Sequence, residues 1–351
     1  MQRIVIDRPG DYGVLELRQS PTPEPGPGEV RIRVRACGLN YADGIIRMGL
    51  YASAKRLHGY PITPGFEVAG IIDAIGDGVT QFQIGDEVIG LTLFNGYASH
   101  LITAVDGVFF KPSPLSLTEA ATISTVFLTA WWMIHRQVHP EPHETWLIHS
   151  AAGGVGSALL QLARLADVRT IGVVGAAHKV AAARAMGADQ VIDKSNEDLW
   201  ARAEALAPDG FQAIFDANGV ATLKDSYAHL APTGRLMIYG FASMLPRSQS
   251  NHKGRLNWLK LARDWLRTPR FNPLDMTQAN KSVMAANLSF LQAHAPLMQA
   301  GMRWLLERFA DGRLTPLPVE TFPLAQAAEA QRRIESGQTT GKLALIPDGE
   351  P

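Results

Sequence analysis

The sequence predicts an α/β protein of two parts, on three observations. Residues 1 to about 120 read as an all-β region, with strand patterns broken by Gly/Pro turns. From Thr145 onward, short apolar strands alternate with helical runs. Residues 342–346 then return to strand. A chain of 351 residues exceeds one ordinary core, so two domains are expected.

In the first part, residues 30–36 alternate Val/Ile with Arg, the period of a strand with one wet face. Residues 21–28 are Pro/Gly-rich and read as a loop. Residues 66–75 and 86–93 are further β-rich runs, punctuated by Gly76, Gly78 and Gly85, and residues 117–135 read as helix. From Thr145 the order is strand (146–149), glycine turn (153–156), helix (157–166), strand (170–174), helix (179–186) and strand (190–192). Further strands are read at 213–216 and 235–239. Short buried strands separated by helices mean a parallel, doubly wound sheet. Residues 282–290 read as its last strand, 303–310 and 326–334 as helices, and the strand at 342–346 is expected to rejoin the first domain.

Thirty-three Lys and Arg balance 33 Asp and Glu, which gives no general field for nucleic acid. The single Cys37 cannot form an internal disulfide or a Cys-rich metal site, and a reducing cytosol fits. The N-terminus lacks a signal core, and no window reaches the ~20 apolar residues of a spanning helix. Residues 244–280 are locally basic: Arg247, Lys253, Arg255, Lys260, Arg263, Arg267 and Arg270 meet only Asp264 and Asp275. Trp258 and Trp265 lie seven apart, on one helix face. The expected reading is a solvated insertion that packs its tryptophans on the parallel-sheet domain. The other is a lid, or a surface for anionic lipid or an acidic carrier.

Residues 146–156, WLIHSAAGGVG, join an apolar strand to an apolar helix through small residues. Backbone N–H groups there can approach a pyrophosphate, and the helix N-terminus adds donors and partial positive charge. Ala151 stands where the G-x-G-x-x-G pattern has its first glycine. Another α/β protein could share the bare pattern, but the flanking strand and helix point to a dinucleotide held by Ala152, Gly153, Gly154, Val155 and Gly156. The next strand ends at Gly175 without the acid that a free ribose hydroxyl would need. Lys179, with His178 and Lys194, offers positive charge to a 2′-phosphate instead, so NADP(H) is expected over NAD(H). Lys179 as an ordinary solvated helix-start lysine is the alternative.

Together with residues 36–43 (ACGLNYAD) and 64–70 (PGFEVAG), these residues resemble the medium-chain dehydrogenase/reductase superfamily. The AAGGVG turn is similar to its quinone oxidoreductase branch. The resemblance runs from about residue 28 to the C-terminus and is nearest the vesicle amine transport protein-like members. It implies a distorted, GroES-like β-barrel catalytic domain (residues 1–123 and 295–351) and a Rossmann NADP(H)-binding domain (124–294) carrying the basic Trp-bearing insertion. It also implies a cleft between domains with the nicotinamide at its base, and homodimers formed near residues 283–290. Zinc-bearing relatives carry Cys at the position of Asn40 and His at that of Phe66, and a four-cysteine run absent here. Phe cannot ligate and Asn ligates zinc poorly, so no zinc is expected, with Glu67 hydrogen-bonded instead.

By family position Asn40 faces the nicotinamide and Tyr51 the cleft. Asn40, Tyr51 and Asp43 form the candidate catalytic set, with Tyr41 a further donor and Asp43 cast as orienting its neighbours rather than as an acid. Thr129 matches a position on the cofactor's phosphate side, or is an ordinary helix threonine. Asn218, Gly240 and Phe241 follow strand ends, where α/β proteins bind ligands. His149 is expected to pack. Without a metal, hydride addition to a conjugated carbonyl or quinone is favoured, because a donor or water can meet the developing oxyanion; a simple alcohol leans harder on a Lewis acid. The expected function is zinc-independent, NADPH-dependent reduction of quinones or α,β-unsaturated carbonyls, by a cytoplasmic homodimer without an integral membrane segment. Two alternatives stand: an enoyl reductase acting on carrier- or CoA-bound thioesters, and a non-catalytic NADPH-binding protein serving structure or membrane attachment.

Overall fold

A computed structural model describes residues 1–245 and 257–347. They divide into two compact units: residues 1–128 with 289–347, and residues 129–245 with 257–288.

The first unit opens with an antiparallel pair, β1 (Gln2–Val5) and β2 (Glu16–Gln19). The main sheet follows in β3 (Glu29–Leu39), β4 (Glu67–Ile75), β5 (Glu87–Leu91), β6 (His100–Ala104) and β7 (Val108–Phe110). β3 buries Val30, Ile32 and Val34 and turns Arg31, Arg33 and Arg35 outward, as its period dictates. Between β3 and β4 runs a helix that the sequence reading missed, α1 (Tyr41–Arg47). It is seven residues long and Gly44 interrupts its apolar pattern, so the region is not all-β. Arg47 pins α1 from within: its guanidinium meets Glu335 at 2.9 Å and Gln331 at 2.8 Å. The single helix expected over 117–135 is two, α2 (Leu117–Ala120) and α3 (Ser124–Met133), the second leading into the next unit.

The second unit alternates as expected: β8 (Thr145–His149), α4 (Gly154–Leu165), β9 (Arg169–Val174), α5 (Val180–Ala185), β10 (Gln190–Asp193), α6 (Leu199–Leu206), β11 (Phe211–Asp216), α7 (Leu223–Ala228) and β12 (Leu230–Ile238). Then come α8 (Trp258–Arg267), α9 (Pro273–Ala279) and β13 (Ser282–Ala285). The strands are parallel in the order β10-β9-β8-β11-β12-β13, around buried Leu147, Ile171, Phe211, Ile214 and Leu236. The order reverses between β8 and β11, and the carboxyl ends of those strands flank the crevice where such sheets bind ligands. The last strand stops at Ala285 rather than 290; residues 288–290 form a 3₁₀ turn. Of the basic segment, Arg247, Lys253 and Arg255 lie outside the described residues. Trp258 and Trp265 do not pack as expected: each is 66% exposed.

The chain then returns to the first unit through α10 (Ala295–Ala310), β14 (Val319–Pro323), α11 (Ala327–Glu335) and β15 (Lys342–Ile346). β15 pairs antiparallel with β3, Leu343 opposite Leu39, and parallel with β14. The expected return of the tail is thus met in a seven-stranded sheet.

Candidate active site

In the second unit the chain leaves β8 through Ser150, whose φ of +55° sets the turn. Gly153 caps α4 in extended conformation, and Ser157 N–H donates to Gly153 O at 2.8 Å. That is the first closed turn, so the amides of Gly154, Val155 and Gly156 have no partner within the helix and point along its positive end. The glycines are not equivalent. A Cβ on Gly156 would lie 2.3 Å from Ser150 O and 2.9 Å from Ala151 Cα, whereas one on Gly153 would stand 3.2 Å from Ser150 O. Gly156 is therefore required by the packing of α4 on its own turn. Ala152 is buried in the turn; Gly153, Gly154 and Val155 are half-buried.

Across the switch point, β11 ends in Asp216, fully buried. Its Oδ1 accepts from the amides of Asn218 (2.8 Å) and Gly219 (3.0 Å), and its Oδ2 from the hydroxyls of Thr222 (2.7 Å) and Ser226 (2.9 Å). Ser226 also lies 3.1 Å from His149 Nε2 at the end of β8. Burial pushes His149 down to about 4, against the pull of Asp216, so its ring is neutral. Asn218 accepts from Ser150 Oγ at 3.3 Å, joining the loops after β8 and β11, while its Nδ2 is buried without a partner.

At the end of β9, Gly175 is exposed, and a Cβ there would stand 3.5 Å from Lys194 Cε. Lys194 N–H donates to Val174 O at 3.1 Å, so the Lys194 stem lies beside this strand end. Lys179 closes the 3₁₀ turn before α5. Gly240 follows β12; a Cβ on it would meet Ala217 O at 2.8 Å. Phe241, 42% exposed, covers Gly219. Thr129 stands half-buried in α3.

The first unit assembles a second cluster. Asn40 caps α1, and Asp43 accepts from the Asn40 amide at 2.8 Å. Asp43 also accepts from Tyr97 Oη (2.8 Å) and Gly65 N–H (3.2 Å); full burial pushes its carboxyl up to about 7 against these donors. Its oxygens face only protein donors here, so it positions Asn40. The Asn40 side chain is fixed in turn. Its Oδ1 accepts from Lys342 Nζ at 2.6 Å, and its Nδ2 donates to Glu67 Oε1 at 2.9 Å. Lys342 Nζ also donates to Leu39 O (2.9 Å) and Glu67 Oε1 (3.0 Å), and Glu67 Oε2 accepts from Thr125 N–H (2.7 Å). Tyr51 Oη lies 2.6 Å from Ser289 Oγ, with its ring edge-on to Phe66 at 5.8 Å, and burial raises its phenol above the usual value. Among the described residues, no three His, Cys, Asp or Glu side chains converge to hold a metal ion.

The alcohol dehydrogenase GroES-like domain family matches residues 26–108, and the zinc-binding dehydrogenase family matches residues 186–345. The chain is 30% identical over 316 residues to the human synaptic vesicle membrane protein VAT-1 homolog, covering 90% of this chain and 78% of that protein. Against the zebrafish (Danio rerio) VAT-1 homolog, also 30% identical, it spans 63% of the relative's length. Quinone oxidoreductase structures from Pseudomonas syringae and Escherichia coli, the second complexed with NADPH, superpose with TM-scores of 0.83 each at 30% and 26% identity. They cover 99% of this chain and 99% and 100% of theirs. The chain belongs to the medium-chain dehydrogenase/reductase superfamily, in its quinone oxidoreductase branch near the VAT-1 proteins.

Within this superfamily frame, the glycine turn, Asn218, Gly175, Gly240 and Phe241 gather at strand ends of the second unit, and Asn40, Asp43 and Tyr51 gather in the first. Sequence reasoning missed Lys342, Thr125, Ser289 and the Asp216–Ser226–His149 network. Only the polar run Asp216, Asn218, Thr222, Ser226 after an apolar strand signalled the last.

Proposed function

We propose that the chain reduces quinones or α,β-unsaturated carbonyls with NADPH, without zinc. The open amides of Gly154, Val155 and Gly156 carry this reading, together with the buried, unpartnered Nδ2 of Asn218, whose Oδ1 accepts from Ser150 Oγ at the start of the same turn. The residues fit a dinucleotide diphosphate: donors without acceptors, a small-residue turn and a helix N-terminus. Lys194 and Lys179, with no acid at the end of β9, suit a 2′-phosphate, and the NADPH complex of the Escherichia coli relative agrees. When bound, the cofactor supplies the hydride.

The protein's own part is orientation and charge. Lys342 and Glu67 hold the Asn40 amide in one sense, oxygen toward the ammonium and nitrogen toward the carboxylate. Nδ2 has two hydrogens, so one remains to donate to a carbonyl oxygen as it gains charge. Tyr51, kept neutral by burial, is a second donor, backed by Ser289. The donor set supports zinc independence. Phe66 offers no lone pair, and Glu67 already meets an ammonium, an amide and a backbone N–H. We further propose that β13, at the sheet edge, pairs with a second copy.

Titration with both cofactors, elemental analysis, and NADPH oxidation against quinones, enones and enoyl thioesters test the reading. The expected outcome is tighter NADPH than NADH binding, substoichiometric zinc, and turnover of free quinones or enones. Preference for thioesters would move the assignment to an enoyl reductase. Binding without turnover of any substrate would make the protein a non-catalytic cofactor binder.

A further inference from the structure

Tyr51 stands at one end of an aromatic row in the first unit. Its ring lies edge-on to Phe66 at 5.8 Å, Phe66 stands 6.0 Å from Phe94, and the His58 ring meets Phe94 edge-on at 5.5 Å. Between the two ends the chain makes a wide π-helical turn, Ala54–His58, in which Lys55 N–H donates to Tyr51 O at 3.3 Å. Turns of this kind recur at functional sites, and this one carries Lys55, Arg56 and His58 along the row. The Arg56 guanidinium stands 5.9 Å over the ring of Phe290, the neighbour of Ser289, whose hydroxyl lies 2.6 Å from Tyr51 Oη. Leu57 and Phe290 are 47% and 43% exposed, so the rim is apolar as well as basic. Lys55 and Arg56 are exposed, and neither has an ion pair among the described residues. No Asp or Glu occurs in residues 44–66 or 276–306, and the acids bracketing the first stretch, Asp43 and Glu67, are fully buried and hydrogen-bonded. The positive charge of this rim is therefore not offset by an acid of either segment.

We infer that the substrate bears an anionic group, a carboxylate or a phosphate, and that Lys55 and Arg56 hold it while the conjugated carbonyl lies against the Tyr51 and Phe66 rings. Aromatic rings suit a planar conjugated system, and a guanidinium beside an ammonium suits either oxyanion. The phosphates of NADPH fit this role poorly, since the donors proposed for them, Gly154 to Gly156 and Lys194, belong to the second unit. A polyanionic macromolecule would call for basic charge spread along a face. Two cations on one turn, beside the Tyr51–Ser289 pair, suit one small group. The inference rests on the reductase reading and narrows its substrate.

Calorimetric titration of the full chain, with NADP+ present, tests it on three saturated ketones: 4-arylbutan-2-ones carrying a para carboxylate, phosphate or methyl ester. At least one anion is expected to bind about fivefold tighter than the ester at low salt, as two exposed ion pairs allow, and the order of the two anions names the group. The margin should shrink to within about twofold at about 0.5 M salt. K55Q/R56Q should bring the anion-to-ester ratio to about one while keeping the wild-type thermal midpoint, because both side chains are exposed. The inference is overturned if the ester binds as tightly as both anions, if the margin survives high salt, or if K55Q/R56Q keeps the wild-type ratio. Binding is read without turnover, so the reductase reading is scored apart: it falls if none of the matching enones oxidises NADPH.

Discussion

Lys342→Met removes the ammonium from the first-unit cluster and leaves its partners in place. Lys342 and Glu67 side chains are 3% and 0% exposed, so water cannot take over. Three contacts vanish, at 2.6, 2.9 and 3.0 Å, stranding Asn40 Oδ1, Leu39 O and the Glu67 carboxylate. Breaking a buried pair on one side costs about 3–5 kcal/mol. For a unit of this size that is a fall of roughly 6–20 °C in the thermal midpoint. The double variant Lys342→Met with Glu67→Gln removes the stranded charge. The carboxamide then standing at position 67 can accept from Thr125 N–H and donate to Asn40, but only if the Asn40 amide flips. The double variant should therefore regain most of the stability, to within about 1.5 kcal/mol of wild type, while kcat stays at least about tenfold down. Calorimetry and NADPH-oxidation kinetics read the two effects separately. A single variant losing under about 1 kcal/mol, or a double variant with wild-type kcat, would refute the role given to this pair.

Gly156→Ala places a Cβ 2.3 Å from Ser150 O. It should cost about 2 kcal/mol and raise the NADPH Kd at least about tenfold, whereas Gly153→Ala should cost under about 1 kcal/mol; fluorescence titration and thermal melts check both. Lys194→Glu should weaken NADPH about tenfold or more and leave NADH within about twofold; equal losses would remove Lys194 from 2′-phosphate recognition. His149 titrates at about 4 in the folded chain, below the ~6.5 of an unfolded histidine. The unfolded state therefore takes up the proton first, so the stability His149 contributes is full above pH ~6.5 and falls, by up to about 3 kcal/mol, as pH drops toward 4. Denaturant titrations of wild type and His149→Asn should converge over that window and run parallel above it; parallel curves throughout would refute the assignment.

The parts legible in the sequence were those written in local pattern. The period of residues 30–36, the apolar runs of β8, β9 and β11, and the small residues at 151–156 each fix their conformation from neighbours. α1 was hidden because seven residues with a glycine at position 44 give no usable period. That glycine is set by a distant group, since a Cβ there would lie 2.3 Å from Glu335 Oε1. Lys342 reads as a surface lysine opening a strand, and its partner Glu67 is 275 positions away. No spacing rule reaches that far. The α8 pattern announced an amphipathic helix but not which way the face points, and the assumption that tryptophans turn inward proved wrong for Trp258 and Trp265.

The most direct test is reduction of an enone by the zinc-depleted protein, using NADPH with both C4 hydrogens of the nicotinamide replaced by deuterium. One deuterium should appear per turnover in the enone product, at the carbon β to the carbonyl, with a rate indifferent to added zinc. Turnover that appears only when zinc is restored, or product carrying solvent hydrogen at that carbon, would contradict metal-free hydride delivery.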